Sequence, residues 1–298
     1  MSLNGIMLNG VPLLTLYQGN VYWVDSNGGG GSVGSFAKPV ASISTAMGLC
    51  TAANGDKIMC KPGHVENISE AAALVCDKSD VAIIGTGSGG NQSKITFDTA
   101  DTASITVTAP NVTLCNLWIY IDFANIDGMI EVAATGTYFT VDKCRWTGGS
   151  NALDIEEGIR LAAAANNFSF TNNDVRFLTG GDTESLVYTV GECVDMTVSG
   201  NFIAMPSSDA HFSLDATALT GAPLFSNNVM VQMDTTTGFC VDIDAATVAV
   251  FTNEMYAHDK SNTLVANALT ASYCVRCYGV ELNAVSSLVW PATITAWA

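Results

Sequence analysis

Apolar and polar positions along this chain repeat with a fixed period. The pattern apolar-x-apolar-x-x-Asn-x-apolar occurs as Phe168, Phe170, Asn173 and Val175, and again as Met196, Val198, Asn201 and Ile203. It returns as Ala222, Leu224, Asn227 and Val229, and as Val248, Val250, Asn253 and Met255. Copies without the Asn begin at Val112, Phe139 and Tyr273. The seven starts (112, 139, 168, 196, 222, 248 and 273) are 27, 29, 28, 26, 26 and 25 residues apart. Between them falls a shorter apolar-x-apolar run: Ile130-x-Val132, Ile159-x-Leu161, Leu186-x-Tyr188, Phe212-x-Leu214 and Val241-x-Ile243. Side chains alternate across a strand, so each period holds at least two short strands with one face turned inward. Short strands at one spacing predict an all-β solenoid of stacked parallel coils.

The recurring Asn173, Asn201, Asn227 and Asn253 are expected at a sharp bend, because Asn tolerates left-handed backbone better than most residues. Stacked copies can also ladder their amides along the coil axis. The N-terminal third differs. Residues 21–25 (VYWVD) read as a strand, followed by a Gly-rich loop that lacks the Lys-Ser or Lys-Thr of a phosphate-binding loop. Val40 to Leu49 reads as a short amphipathic helix, and residues 55–68 as a turn, a strand, a Pro-Gly turn and another strand. A helix followed by strands suits the plugging of an open solenoid end. Residues 1–20 carry no charge and are expected to form a docking arm, through Leu3, Ile6, Met7, Leu8, Val11, Leu13 and Leu14. The predicted organisation is an arm over 1–20, a cap over 21–75 and coils over 76–298.

Within residues 21–68, Tyr22-Trp23-Val24-Asp25, the Gly28–Gly31 loop, Lys38-Pro39, Gly55-Asp56, Lys61-Pro62-Gly63 and Glu66-Asn67-Ile68 follow one another in order. This succession resembles the opening region of right-handed parallel β-helix proteins of the pectin-lyase-like superfamily, a region frequent in tailed-phage virion proteins. The resemblance implies a right-handed parallel β-helix of about 26–28 residues per coil with a short N-terminal capping helix. It says more about fold than function, since such a fold hosts enzymes, adhesins and inert structural parts alike.

Charge narrows the function. The chain has 298 residues, 28 acidic against 11 basic, a net charge of −17, and only 13% charged residues. The 48% apolar content excludes a disordered chain. The acidic surplus argues against nucleic acid and against an anionic membrane surface as partners. No positive segment precedes an apolar core near the N-terminus, so an unexported product is expected. Nine scattered cysteines are expected to be reduced structural thiols, and Cys274-x-x-Cys277 alone is too weak to predict a metal or redox centre.

Catalytic candidates are sparse. Enzymes of the resembled superfamily use a strand-borne Arg or Lys base with a calcium cluster, or paired carboxylates. The arginines are 145, 160, 176 and 276, with Arg145 and Arg176 able to share an outer face. Carboxylates cluster at Asp154, Glu156 and Glu157, with Asp182 and Glu184 about one coil on; solvated loop acids are the plainer reading. His64, His211 and His258 are expected at turns or on the surface, and Trp118 and Trp146 in core or rim packing. No catalytic set, metal or cofactor is expected. The resemblance therefore implies a virion structural protein: a capsid decoration or cement subunit, acting as a homotrimer on the major capsid protein. The alternative is a tailspike that binds or cleaves surface polysaccharide.

Overall fold

The computed structural model describes residues 7–8, 11–12, 19–28, 30–149, 155–177, 183–214, 222–233, 238–243, 249–258, 265–266 and 273–281. Three parallel sheets dominate them. The first has ten strands, from Val21–Val24 to Tyr273–Val275; the second nine, from Val65–Ile68 to Tyr278–Glu281; the third eight, from Leu74–Cys76 to Val265–Ala266. Each strand pairs with its counterparts one coil away. One coil contributes Thr113–Cys115, Trp118–Ile121 and Ile126–Val132, and the next Thr140–Asp142, Arg145–Gly148 and Ile155–Leu161. The fold is an all-β parallel solenoid. The eight-residue sequence pattern therefore spans two strands meeting at a corner, and the shorter apolar run is the third.

The described part of the arm is a small antiparallel pair, Met7–Leu8 against Val11–Pro12; Leu3, Ile6, Leu13 and Leu14 lie outside the described residues. Helix α1 (Ile43–Leu49) starts later than its apolar pattern suggested, because Val40 instead bridges Val24 of the first sheet. Ser42 caps it by accepting from the Thr45 N–H, and Ile43, Ala46 and Met47 are buried. Inside the coils, phenylalanines form a ladder. Ring centroids are 6.0 Å apart for Phe170–Phe212, 5.5 Å for Phe212–Phe225 and 5.2 Å for Phe225–Phe251. Such rings bury large apolar area per residue, the main driving force for stacking coils.

The corner between the first and second sheets needs two residue types side by side. The first takes positive φ: Asn116, Lys143, Asn172, Gly200, Asn227, Asn253 and Arg276. Its N–H donates forward to the next coil, as Asn172 does to Ser199 and Asn227 to Thr252. The residue after it has an N–H with no strand partner. A side chain from the following coil supplies one: Asn173 Oδ1 accepts from Cys144 N–H at 2.9 Å, and Asn201 Oδ1 from Asn173 N–H at 2.8 Å. Asn228 Oδ1 accepts from Asn201 N–H and Glu254 Oε1 from Asn228 N–H, each at 3.0 Å.

The buried ladder is thus Asn173, Asn201, Asn228 and Glu254, all 2% exposed or less. This corrects the expected column. Asn173 and Asn201 belong to the ladder but are not the left-handed residues. Asn227 and Asn253 are left-handed and exposed, and stand outside the ladder. The register of the later coils shifts by one, since Leu224 pairs with Thr197 and Phe225 with Val198. A one-residue slip turns every side chain to the other face: Leu224 and Met255 are exposed, while Phe225 and Tyr256 are buried.

Among the described residues, seven cysteines are free thiols, six of them buried. Burial pushes Cys76 and Cys144 up to about 12, far from the reactive thiolate. Cys277 is disulfide-bonded, which departs from the expectation of reduced thiols throughout.

Candidate functional site

Glu157, on the third sheet, is a carboxyl strongly perturbed by burial. Residues three apart in a regular strand face opposite sides. In Ile155–Leu161, however, Glu157, Gly158 and Ile159 are buried in succession, which interrupts the alternation. Arg160 Nε consequently lies 3.4 Å from Glu157 Oε2. The interruption repeats in Ile126–Val132 at Gly128, Met129 and Ile130, and in Ser185–Thr189 at Ser185, Leu186 and Val187. Gly158 has no room for a side chain: a Cβ there would stand 2.7 Å from the Leu186 carbonyl oxygen of the next coil. Gly128 leaves an open spot whose Cβ position is 3.9 Å from Glu131 Oε1 and 4.0 Å from Glu157 Oε2. Two carboxyl groups therefore converge on one side-chain-free point.

Glu157 is 9% exposed, and its Oε2 is buried without a hydrogen bond, the Arg160 contact being an ion pair of poor hydrogen-bond geometry. Burial pushes this carboxyl up to about 7; Arg160 opposes the shift, and the carboxylates of Glu184, Glu156 and Glu131 add to it. A carboxylic acid half protonated near neutrality, beside a second carboxylate, can donate a proton to a leaving oxygen. Next to it, Glu131 and Arg160 help line a shallow depression of about 210 Å³ with Thr106, Val132 and Val190.

A second raised carboxyl, Glu254, ends the described ladder. Its burial pushes it up to about 7, while Asn228 and the Tyr256 hydroxyl donate to it and hold it down. Asp56 moves the other way. Burial raises it, but the backbone N–H groups of Asn20 and Thr51 and the Asn54 amide outweigh that and bring it below its ordinary value.

The expected acidic cluster divides. Glu156 and Glu184 are exposed, Glu157 is buried, and Asp154 and Asp182 lie outside the described residues. Arg145 and Arg176 do share the outer face of the second sheet, two positions apart on neighbouring strands, since Arg145 pairs with Asp174 and Arg176 with Thr147. Two histidines are corrected from surface to core. His64 and His211 are fully buried. Ser26 N–H donates to His64 Nδ1 at 3.0 Å, which leaves Nε2 to donate to Glu66 Oε2 at 3.1 Å. That same oxygen accepts from Ile43 N–H at the start of α1, so the group ties loop, strand and helix together. The alternation His64, Glu66, Ile68 on one face was the available signal. His258 has no described side chain, and Asp259 is not described. The tryptophans part company: Trp146 pairs with Ile119 and is fully buried, whereas Trp118 pairs with Arg145 and faces out.

Among the described residues, no three His, Cys, Asp or Glu side chains converge as metal ligands, and no helix is long and apolar enough to cross a membrane. No protein-family model matches the chain, and no curated protein does. Among solved structures, the chain is similar to pectate lyase Pel9A at 14% identity and a TM-score of 0.40, over 87% of this chain and 78% of that one. It is also similar to the GH136 lacto-N-biosidase from Eubacterium ramulus at 11% identity and a TM-score of 0.29, over 88% and 68% respectively. Likenesses this distant carry nothing about activity.

Proposed function

We propose that this chain is a structural part of a phage virion, a capsid decoration or cement subunit that docks on the major capsid protein and performs no catalysis. The observation that carries this reading is an exposed apolar surface in the region that follows the arm in sequence. Val21, Val33 and Phe36 are 47%, 59% and 63% exposed, on the first strand and the Gly-rich loop that follows it. Phe36 is fixed in place, edge-on to Trp23 at 4.8 Å and beneath Lys61 Nζ at 4.7 Å. Exposed apolar surface held in one conformation is suited to being covered by a partner. The uncharged arm and the resemblance of residues 21–68 support the same end as the docking end. The test is binding of the purified chain to undecorated capsids of the phage that encodes it. Phe36→Asp with Val33→Asp is expected to weaken binding at least about tenfold. Unchanged binding, or no binding by the wild type, sinks the reading.

Glu157 favours a second reading, a glycan-cleaving tailspike with Glu157 as acid and Glu131 as its partner carboxylate. On that reading the chain depolymerises a host surface polysaccharide, and Glu157→Gln lowers the rate by about 100-fold or more. A chain that releases no reducing ends from capsule or lipopolysaccharide removes it.

A further inference from the structure

On the third sheet, Gly128 pairs with Glu157 and Glu157 with Ser185, while three positions on Glu131 pairs with Arg160 and Arg160 with Tyr188. Because Gly128 has no side chain, Glu131 Oε1 and Glu157 Oε2 approach its Cβ position to 3.9 and 4.0 Å and leave a gap between them. Glu157 Oε2 is buried and accepts no hydrogen bond. A buried carboxylate oxygen without a donor is costly, and a donor arriving from outside the chain removes that cost. The surrounding charges do not balance either. Glu131, Glu156 and Glu184 act on Glu157 against the guanidinium of Arg160. Arg160 is exposed and meets Glu157 only through Nε at 3.4 Å. Four carboxyls thus share one cation, and that cation leaves the gap open.

The surface beside the pair selects the kind of cation. The depression that Glu131 and Arg160 help line is completed by Thr106, Val132, Ala133, Ala162 and Val190. Val190 is a large apolar side chain left exposed. The space, about 210 Å³, suits a short alkyl chain. Glu131 is the one acid among the lining residues. The second charge of a diamine would therefore lie against valine and alanine, where nothing repays its lost hydration. A metal ion is poorly served, since no three His, Cys, Asp or Glu side chains converge among the described residues. One ammonium on an unbranched alkyl stem matches both parts. Lysine has this form, burying its stem along apolar surface while its compact charged head seeks acceptors.

We propose that this depression receives a lysine side chain of a partner polypeptide, with the stem along Val132 and Val190 and the ammonium between Glu131 and Glu157 beside Gly128. The ammonium donates to Glu157 Oε2 and Glu131 Oε1, the oxygens nearest the gap. The site lies on the third sheet, whereas Val21 and Phe36 lie on the first strand of the first sheet and the loop after it, so it rests on neither functional reading.

Ligand-detected NMR titration of the full chain with Nα-acetyl-lysine N-methylamide tests this, with n-butylammonium and putrescine for comparison. Saturable binding is expected, no tighter for putrescine than for butylammonium. Glu131→Gln and Glu157→Gln are each expected to raise the dissociation constant at least about tenfold, since each removes a charge-assisted hydrogen bond. Gly128→Ala adds a methyl group whose nearest neighbour is 3.7 Å away, so the chain is expected to fold and to bind less well. Burial holds Glu157 up to about 7, and the incoming ammonium must displace its proton. Binding is therefore expected to be about tenfold weaker at pH 6 than at pH 8, a dependence that Glu157→Gln abolishes. Circular dichroism checks the fold of each variant. A wild type that shows no saturable binding overturns the proposal, as does an affinity that folded Glu131→Gln and Gly128→Ala leave unchanged. Tighter binding of putrescine overturns it too, and gives the site to a polyamine.

Discussion

Asn228→Ala is expected to destabilise the protein by about 3–5 kcal/mol, while Ala at the adjacent Asn227 costs about 1 kcal/mol. Asn228 Oδ1 takes both the backbone N–H of Asn201 at 3.0 Å and its side-chain amide at 2.8 Å. Its own amide donates to the Val198 carbonyl at 2.9 Å and to Glu254 at 3.1 Å. Truncation leaves the Asn201 N–H with no acceptor in a place water does not reach, and removes a donor from a buried carboxyl. A buried group left unpaired costs about 1–3 kcal/mol, and here two are affected. Asn227 is exposed, with φ of 58°, so Ala there suffers from a backbone conformation it dislikes and from the loss of one exposed hydrogen bond, the Asn253 amide to Asn227 Oδ1 at 3.1 Å; Gly loses only that weak bond and is expected to cost less than Ala. Denaturant midpoints of the three variants decide it. Equal losses at 227 and 228 are incompatible with the buried ladder.

Stability is expected to fall as pH rises from about 4.5 to 8, and Glu254→Gln to remove most of that fall. The carboxyl has an ordinary value of 4.5 and is pushed up to about 7 in the fold, so the folded chain holds a proton that the unfolded chain releases. Its contribution is therefore complete below about pH 4.5 and is lost as pH passes through 7. The difference is on the order of 3 kcal/mol. Glu157, raised to about 7, acts in the same direction. Asp56 and Asp142 are lowered, so their contribution is present at neutral pH and lost only in stronger acid. The optimum is expected in the mildly acidic range. Thermal melts of wild type and Glu254→Gln at pH 5 and pH 8 measure it; parallel pH profiles for the two proteins would refute the assignment.

The period and the parallel stacking were legible because inward positions must be apolar in every coil, and that constraint acts on each residue separately. The number of strands per coil was harder. Two strands that meet at a corner without an intervening loop, such as Thr113–Cys115 and Trp118–Ile121, read as one pattern. The Asn column slipped because the corner uses neighbours of the same kind, Asn172-Asn173 and Asn227-Asn228, for opposite purposes. Gly200-Asn201 and Asn253-Glu254 would have separated the roles: the first place accepts Gly, the second a longer acceptor. At the candidate site, Glu157 is in step with Ile155, Ile159 and Leu161, so its burial was available in the alternation. Its closeness to Glu131 was not, because that depends on an irregularity shared by three strands.

The corner ladder also gives the solenoid a direction of assembly. At four successive corners the orphan N–H is closed by a side chain belonging to the coil that comes after it in sequence, as Asn173 is by Asn201 and Asn201 by Asn228. A coil leaving the ribosome is accordingly unfinished until its successor arrives, and any shortening from the C-terminus strips the last remaining coil of its acceptor. Growth from the N-terminal end completes one step at a time, with the newest turn always the least secure.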